Sequence, residues 1–193
     1  MGRMLLKVIA GLLMVAALLF NWRLYYYGNE FTDTTGGWIS QAWSGNSTIW
    51  TAVAPTLTKE ASALKVDMSA TYASGQSGVV RITNVVDLTD VSTVRVKFSG
   101  SLGKIYNPGS GRYQRLYLFV SDVTSGNWTS GTVYDALTFM LEHTASATYT
   151  FSDAVYSVDV SALTGSFRVC FGYVWAYQSE ASWVRISEVE LLS

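Results

Sequence analysis

Along most of this chain apolar and polar positions alternate with a period of two. In Leu64 through Met68 the even positions are apolar and the odd ones charged, and Val94 through Phe98 repeats the arrangement with Arg95 and Lys97 turned outward. Both read as half-buried strands. Tyr156 through Val160 alternates in the same way, Phe167, Val169, Phe171 and Tyr173 form one face of another strand, and Arg115 through Val120 is apolar on both faces, which predicts a central, covered strand. Further strands are predicted near 49–52, 79–83, 134–140, 148–151 and 183–192, about ten or more in all. Near the end, Val184 and Ile186 hold the even positions while Val189 and Leu191 take the odd ones, a phase slip that predicts a bulge at Ser187 and Glu188. Turn residues fall between the runs, at Gly36-Gly37, Ser44-Gly-Asn46, Ser74-Gly75, Asn107-Pro-Gly-Ser-Gly111 and Ser125-Gly-Asn127. Strands with one apolar face must bury it on a second sheet, so the pattern predicts an all-β, two-sheet sandwich. The turn-rich stretch from Gly100 to Gly111 reads as a loop tip.

The first residues depart from this period. Arg3 and Lys7 precede an uncharged run from Val8 to Phe20, which extends back to Met4 if Lys7 snorkels. The run predicts a short hydrophobic helix, below the ~20 residues of a free-standing membrane span. An uncleaved anchor, a cleaved secretory signal and an assembly helix packed against its own copies all fit. Val15 through Ala17 offers a cleavage site, whereas Trp22, Arg23 and Tyr25 through Tyr27 resemble an interfacial aromatic belt. The positive charge at Arg3 and Lys7 would keep the N-terminus inside and send the remainder outward. The chain therefore divides into a hydrophobic leader, residues 1–24, and a β domain, residues 25–193.

Composition narrows the chemistry. A formal charge of −1 with 14% charged residues leaves no basic field for nucleic acid. With 49% apolar residues the chain can bury a substantial core, and its one cysteine rules out an internal disulfide staple. Cys170, between Val169 and Phe171, reads as a buried, inert thiol. The one histidine, His143 beside Glu142, is expected at the surface or at a strand cap rather than as a catalytic base. Glu188 and Glu190 could present two carboxylates of the kind that hydrolyse glycosides, but alternate polar residues on a solvated edge strand are the simpler reading. Zinc lacks ligands and no cofactor motif is present. Calcium stays open, because Asp33, Asp87, Asp122 or Asp153 could supply oxygens although their spacing forms no calcium loop.

The segment from Tyr27 through Gly28 to Trp38 resembles the opening of jelly-roll domains in structural proteins of tailed phages and prophages of Gram-positive bacteria. Val86-Asp-Leu-Thr89 with Val94 through Phe98, Val158-Asp-Val-Ser161 with Leu163 through Gly172, and the closing Val184 through Leu192 resemble strand pairs of carbohydrate-binding-module or galactose-binding-like sandwiches. The resemblance covers residues 25–193 and carries over no ligand residue. It implies an antiparallel jelly-roll sandwich and a non-enzymatic interaction module of the virion, whose partners are other virion proteins, copies of itself or a host-surface glycan. The alternative, drawn from the leader, is an extracytoplasmic glycan-binding protein anchored in a membrane through residues 4–20.

Seven Trp and twelve Tyr in so weakly charged a chain suit an adhesive surface. Sugar rings stack their C–H faces on Trp and Tyr while nearby polar groups take the hydroxyls. The candidate ligand residues are Tyr106, Arg112 and Tyr113 around the Asn107 loop, Trp128 after the Ser125 turn, and Trp175, Tyr177 and Gln178 before the last strand. Trp38, Trp43 and Trp50 are expected in the core. Because the alternating runs all lie beyond residue 24, a chain lacking residues 1–24 is expected to unfold cooperatively on heating. Loss of that cooperativity would make the leader part of the core.

Overall fold

A computed structural model describes residues 38–42, 51–60, 62–68, 76–82, 85–109, 112–122, 133–134, 139–175 and 180–193. The expected leader helix, Trp43, Trp50 and Asp33 lie outside these residues. Among the described residues there is no helix long and apolar enough to cross a membrane.

The strands are β1 (Trp38–Ala42), β2 (Thr51–Ala52), β3 (Thr56–Glu60), β4 (Ala63–Met68), β5 (Gln76–Ile82), β6 (Val86–Asp87), β7 (Thr93–Leu102), β8 (Gln114–Ser121), β9 (Val133–Tyr134), β10 (Phe139–His143), β11 (Tyr149–Asp159), β12 (Ser166–Trp175) and β13 (Ser182–Leu192). They form two sheets. One runs β1-β5-β12-β8-β10, with β2, β6 and β9 as short additions, and the other runs β11-β7-β13-β4-β3. Pairing is antiparallel except for the short β2, which lies parallel to β5. Apart from the β3–β4 hairpin and the β8–β10 pair, the long strands from β4 onward pass between the sheets, so most neighbours in space are distant in sequence. This is the all-β jelly-roll sandwich that the alternation and the resemblance imply.

The period of two decides which face each strand buries. On β7 the burial alternates without a break along all ten residues, with Val94, Val96, Phe98 and Leu102 inward. Phe167, Val169, Phe171 and Tyr173 of β12 and Leu64, Val66 and Met68 of β4 join the same core, as does Trp38 of β1. Phe98 sits at its middle, edge-on to Phe151 at 5.4 Å and to Phe171 of the opposite sheet at 6.2 Å. The Tyr173 hydroxyl, deep in the core, donates to the Val53 carbonyl at 3.2 Å, and burial pushes that phenol's pKa well up. The outer face of the second sheet is polar and cross-linked by charge. Arg185 pairs with Glu60 and lies over the Trp183 ring, Arg95 pairs with Glu190, Lys97 with Asp153, and Lys65 with Asp67.

Several sequence expectations are refined. The bulge falls where the phase slip puts it, as the register of β13 against β7 shifts between Ile186 and Glu188. Strands expected separately near 148–151 and 156–160 are one strand, β11, with a register shift between Phe151 and Ala154 and Asp153 at φ 50°. The strand expected over 134–140 is described as two pieces, β9 and β10. Gly100 belongs to β7 rather than to a loop, because a Cβ there would lie 2.6 Å from the Trp183 carbonyl oxygen, and only glycine lets the two strands meet. Glu188 and Glu190 lie on β13, a central strand and not an edge, and Glu190 is taken up by Arg95.

Removing the ring that joins the sheets, by Phe98→Ala, is expected to cost about 3–5 kcal/mol. Equilibrium denaturation by urea measures it, and a loss below ~1 kcal/mol would mean that Phe98 does not anchor the core.

Candidate functional site

Three of the candidate ligand residues, Tyr106, Arg112 and Tyr113, come together at one end of the sandwich. They lie on the connection from β7 to β8. Trp128, Tyr177 and Gln178 lie outside the described residues, as does the side chain of Trp175, whose backbone ends β12 opposite Gln114.

The base of this connection is tied to the sandwich at several points. The Gly103 amide donates to Ser182 Oγ at 2.9 Å, Ser182 Oγ donates to Gln114 Oε1 at 3.1 Å, and Gln114 Nε2 returns to the Gly103 carbonyl at 2.6 Å. This closed ring is buried, with Gln114 and Ser182 only 2% and 1% exposed, so each polar atom in it needs the partner it has. A Cβ on residue 103 would lie 2.4 Å from the Glu180 carbonyl oxygen, which is why glycine stands there. Lys104 Nζ pairs with Glu180 at 2.7 Å, and Thr148 Oγ1 donates to the same carboxylate at 2.8 Å. The hydrogen bonds from Lys104 and Thr148 hold Glu180 below the usual carboxylate range. The Ile105 amide donates to the Ala145 carbonyl at 3.1 Å, and its side chain is buried.

Beyond this base the loop turns outward. Arg112 Nη1 donates to the carbonyls of Tyr106 at 2.9 Å and Asn107 at 2.7 Å, closing the tip on itself. Asn107 takes φ 48°, a left-handed conformation that asparagine tolerates better than most residues. Tyr106 is thereby held with 57% of its surface exposed.

Tyr113 leads from this tip onto the outer face of β8. The Arg115 guanidinium lies 4.0 Å from the Tyr113 ring centroid and pairs with Glu142 of β10. Burial weighs against the Arg115 charge, but hydrogen bonds with Glu142 and Tyr117 outweigh it and raise its pKa. Tyr117, Phe119 and Ser121 follow on the same face and are all buried, with Cys170 of β12 opposite Phe119. Cys170 is the buried free thiol that its neighbours predict.

His143, expected at the surface or at a strand cap, ends β10 but is not at the surface. It is 6% exposed at the end of β10, opposite Gln114, and stacks on Tyr149 with centroids 5.7 Å apart. The reason is register: pairing of β10 with β8 turns Leu141 and His143 to the core side. Of the proposed calcium carboxylates, Asp87 accepts from the Thr89 amide and Asp153 pairs with Lys97. Among the described residues no group of three or more His, Cys, Asp or Glu could hold a metal ion. The Gln114, Ser182 and Glu180 brace went unrecognised in the sequence, where a lone polar residue before an apolar strand resembles any strand end.

No protein-family model and no curated protein matches this chain. Among solved structures it is similar to TmCBM61 in complex with β-1,4-galactotriose, at 12% identity and a TM-score of 0.41, covering 88% of this chain and 98% of that one. It is also similar to the K2 cleaved adhesin domain of Lys-gingipain, at 7% identity and 0.42, and to the potassium-bound Emp46p carbohydrate recognition domain, at 10% and 0.41. Each of these two covers 88% of this chain and 96% of its own.

Gln114→Ala would open the buried ring and leave the Gly103 carbonyl and the Ser182 hydroxyl short of a partner. The expected loss is about 1–3 kcal/mol in thermal or urea unfolding. An unchanged stability would show that water replaces the amide without penalty.

Proposed function

We propose that this domain is a non-enzymatic interaction module that binds a glycan at the Tyr106 end of its sandwich. The observation that carries the reading is Tyr106 itself, a largely exposed aromatic ring on a loop whose backbone is closed by Arg112 and whose base is fixed by Gln114 and Ser182. Holding the ring before a ligand arrives lowers the entropy lost on binding. A sugar's C–H face can stack on such a ring, and Tyr113 with Arg115 and Glu142 adds a second aromatic surface bordered by polar groups.

The setting supported by the resemblance of the segment up to Trp38 is a phage particle, where the module would contact neighbouring virion proteins, copies of itself or the host surface. The basic start and apolar run of the leader support a second setting, an extracytoplasmic module held in a membrane. Partition of the full-length chain separates the two, since an anchor sends it to the membrane fraction and an assembly helix yields a soluble oligomer.

Tyr106→Ala and Tyr113→Ala are each expected to weaken binding of a glycan identified on an oligosaccharide array by about tenfold, or ~1.4 kcal/mol, with little change in melting temperature. Unchanged binding in both variants would refute this site. A large fall in melting temperature would instead make the rings part of the packing.

A further inference from the structure

The loop that presents Tyr106 does not stand alone. Its buried residue Ile105 hangs by its amide from the Ala145 carbonyl, in the turn of residues 144–148 that joins β10 to β11. His143 opens that turn. Its imidazole hydrogen-bonds the Ala147 carbonyl across the turn and stacks on Tyr149 at the far side, with ring planes 19° apart. One histidine thus spans the turn from both ends.

The other ring nitrogen, Nε2, is buried and has no hydrogen-bond partner. In the neutral tautomer, with Nδ1–H donating to Ala147, Nε2 carries only a lone pair, and the cost of burying it is modest. A proton there would create a buried donor and a buried charge with nothing to accept them.

We propose that His143 is a proton-sensitive positioning residue for the Tyr106 loop, holding the 144–148 turn in place when neutral and releasing it, and with it Ile105, when protonated. The inference deepens the reading of that loop as the ligand face, and it makes the face better ordered at neutral than at acid pH.

The surroundings offer the cation little relief. Opposite His143 on β8 stands uncharged Gln114, already engaged in the buried ring. Tyr149 of β11 presents its ring. Lys104 of the loop and Glu180 before β13 neutralise each other, while Arg115 of β8 and Glu142 of β10 pair on the opposite face of their sheet. Burial accordingly lowers the His143 pKa, against the raising effect of the Ala147 hydrogen bond. The sign follows from linkage. Because the folded state takes up the proton less readily than the unfolded chain, whose histidine titrates near ~6.5, the ordering is complete above about that pH and is lost as pH falls toward the folded-state value. Lys104 and Thr148 hold the Glu180 carboxyl below the usual carboxylate range, so this tie of the loop does not weaken with the imidazole at the upper end of the window.

The test uses the full-length chain and no glycan. His143 is its only histidine, so one imidazole signal in the NMR spectrum reports its titration without ambiguity. Amide hydrogen exchange at Ile105, expressed as a protection factor, is followed over the same pH range, with Val96 in the middle of β7 as control. The imidazole is expected to titrate below ~6.5, and Ile105 protection to fall at least about tenfold across that midpoint while Val96 holds. In His143→Asn, whose amide can still donate to Ala147 but cannot become charged, Ile105 protection should not depend on pH. An ordinary midpoint, a flat Ile105 profile in the wild type, or the same fall in the variant would overturn the proposal. If the variant does not fold, the two wild-type measurements decide. Failure of glycan binding at neutral pH would remove the ligand reading and leave this coupling standing, whereas a flat exchange profile would remove the coupling alone.

Discussion

Everything in this sandwich depends on the last two strands reaching the centres of the two sheets. β12 lies between β5 and β8, and β13 lies between β7 and β4, so neither sheet has a continuous middle until the C-terminal segment is in place. Apolar partners come from opposite halves of the domain, both across the core, as Phe98 with Phe171, and side by side within one sheet, as Val96 with Val189. Contacts of such sequence separation must overcome a loop-closure cost before burial rewards them, so folding is expected to be slow and cooperative. The end of the chain is secured accordingly. Ser92 donates to the Leu192 carbonyl through both its amide and its hydroxyl, and Val160 donates to the Ser92 carbonyl beside it.

The two ends of the sandwich are closed by different means. At the Ser92 end, backbone hydrogen bonds and local Asx turns at Asp87 and Asp159 finish the strands with little side-chain investment. At the other end a polar ring of Gly103, Ser182 and Gln114 is buried beneath a long excursion. Burying polar groups costs free energy unless each is satisfied, and here the satisfaction fixes where the loop leaves the sheet. The ring thus orders the base of a loop whose tip carries the exposed Tyr106.

The two outer faces also divide. The outer face of β13 and β7 carries ion pairs between half-exposed side chains, which keep the sheet solvated and contribute little stability each. The outer face of β8 carries aromatic rings, with Arg115 held between Tyr113, Tyr117 and Glu142, while β12 beside it turns Arg168, Cys170 and Gly172 to that side.

The alternation of apolar and polar residues determined the strands, the face each one buries and even the bulge after Ile186, because side chains on an extended chain must point to opposite sides whatever lies beyond them. The candidate aromatics around Asn107 were legible for a similar reason: turn residues beside Tyr106 and Tyr113 mark a loop regardless of its partners. What the sequence left undecided is everything set by which strands lie side by side. His143 is buried because β10 pairs with β8 in one register, Glu190 is neutralised because Arg95 stands on the neighbouring strand, and Gln114 becomes a brace only where Gly103 and Ser182 arrive from elsewhere in the chain. Periodicity is a local property of the backbone, whereas neighbours across a sheet come from distant parts of the chain, and only the closed tertiary structure chooses them.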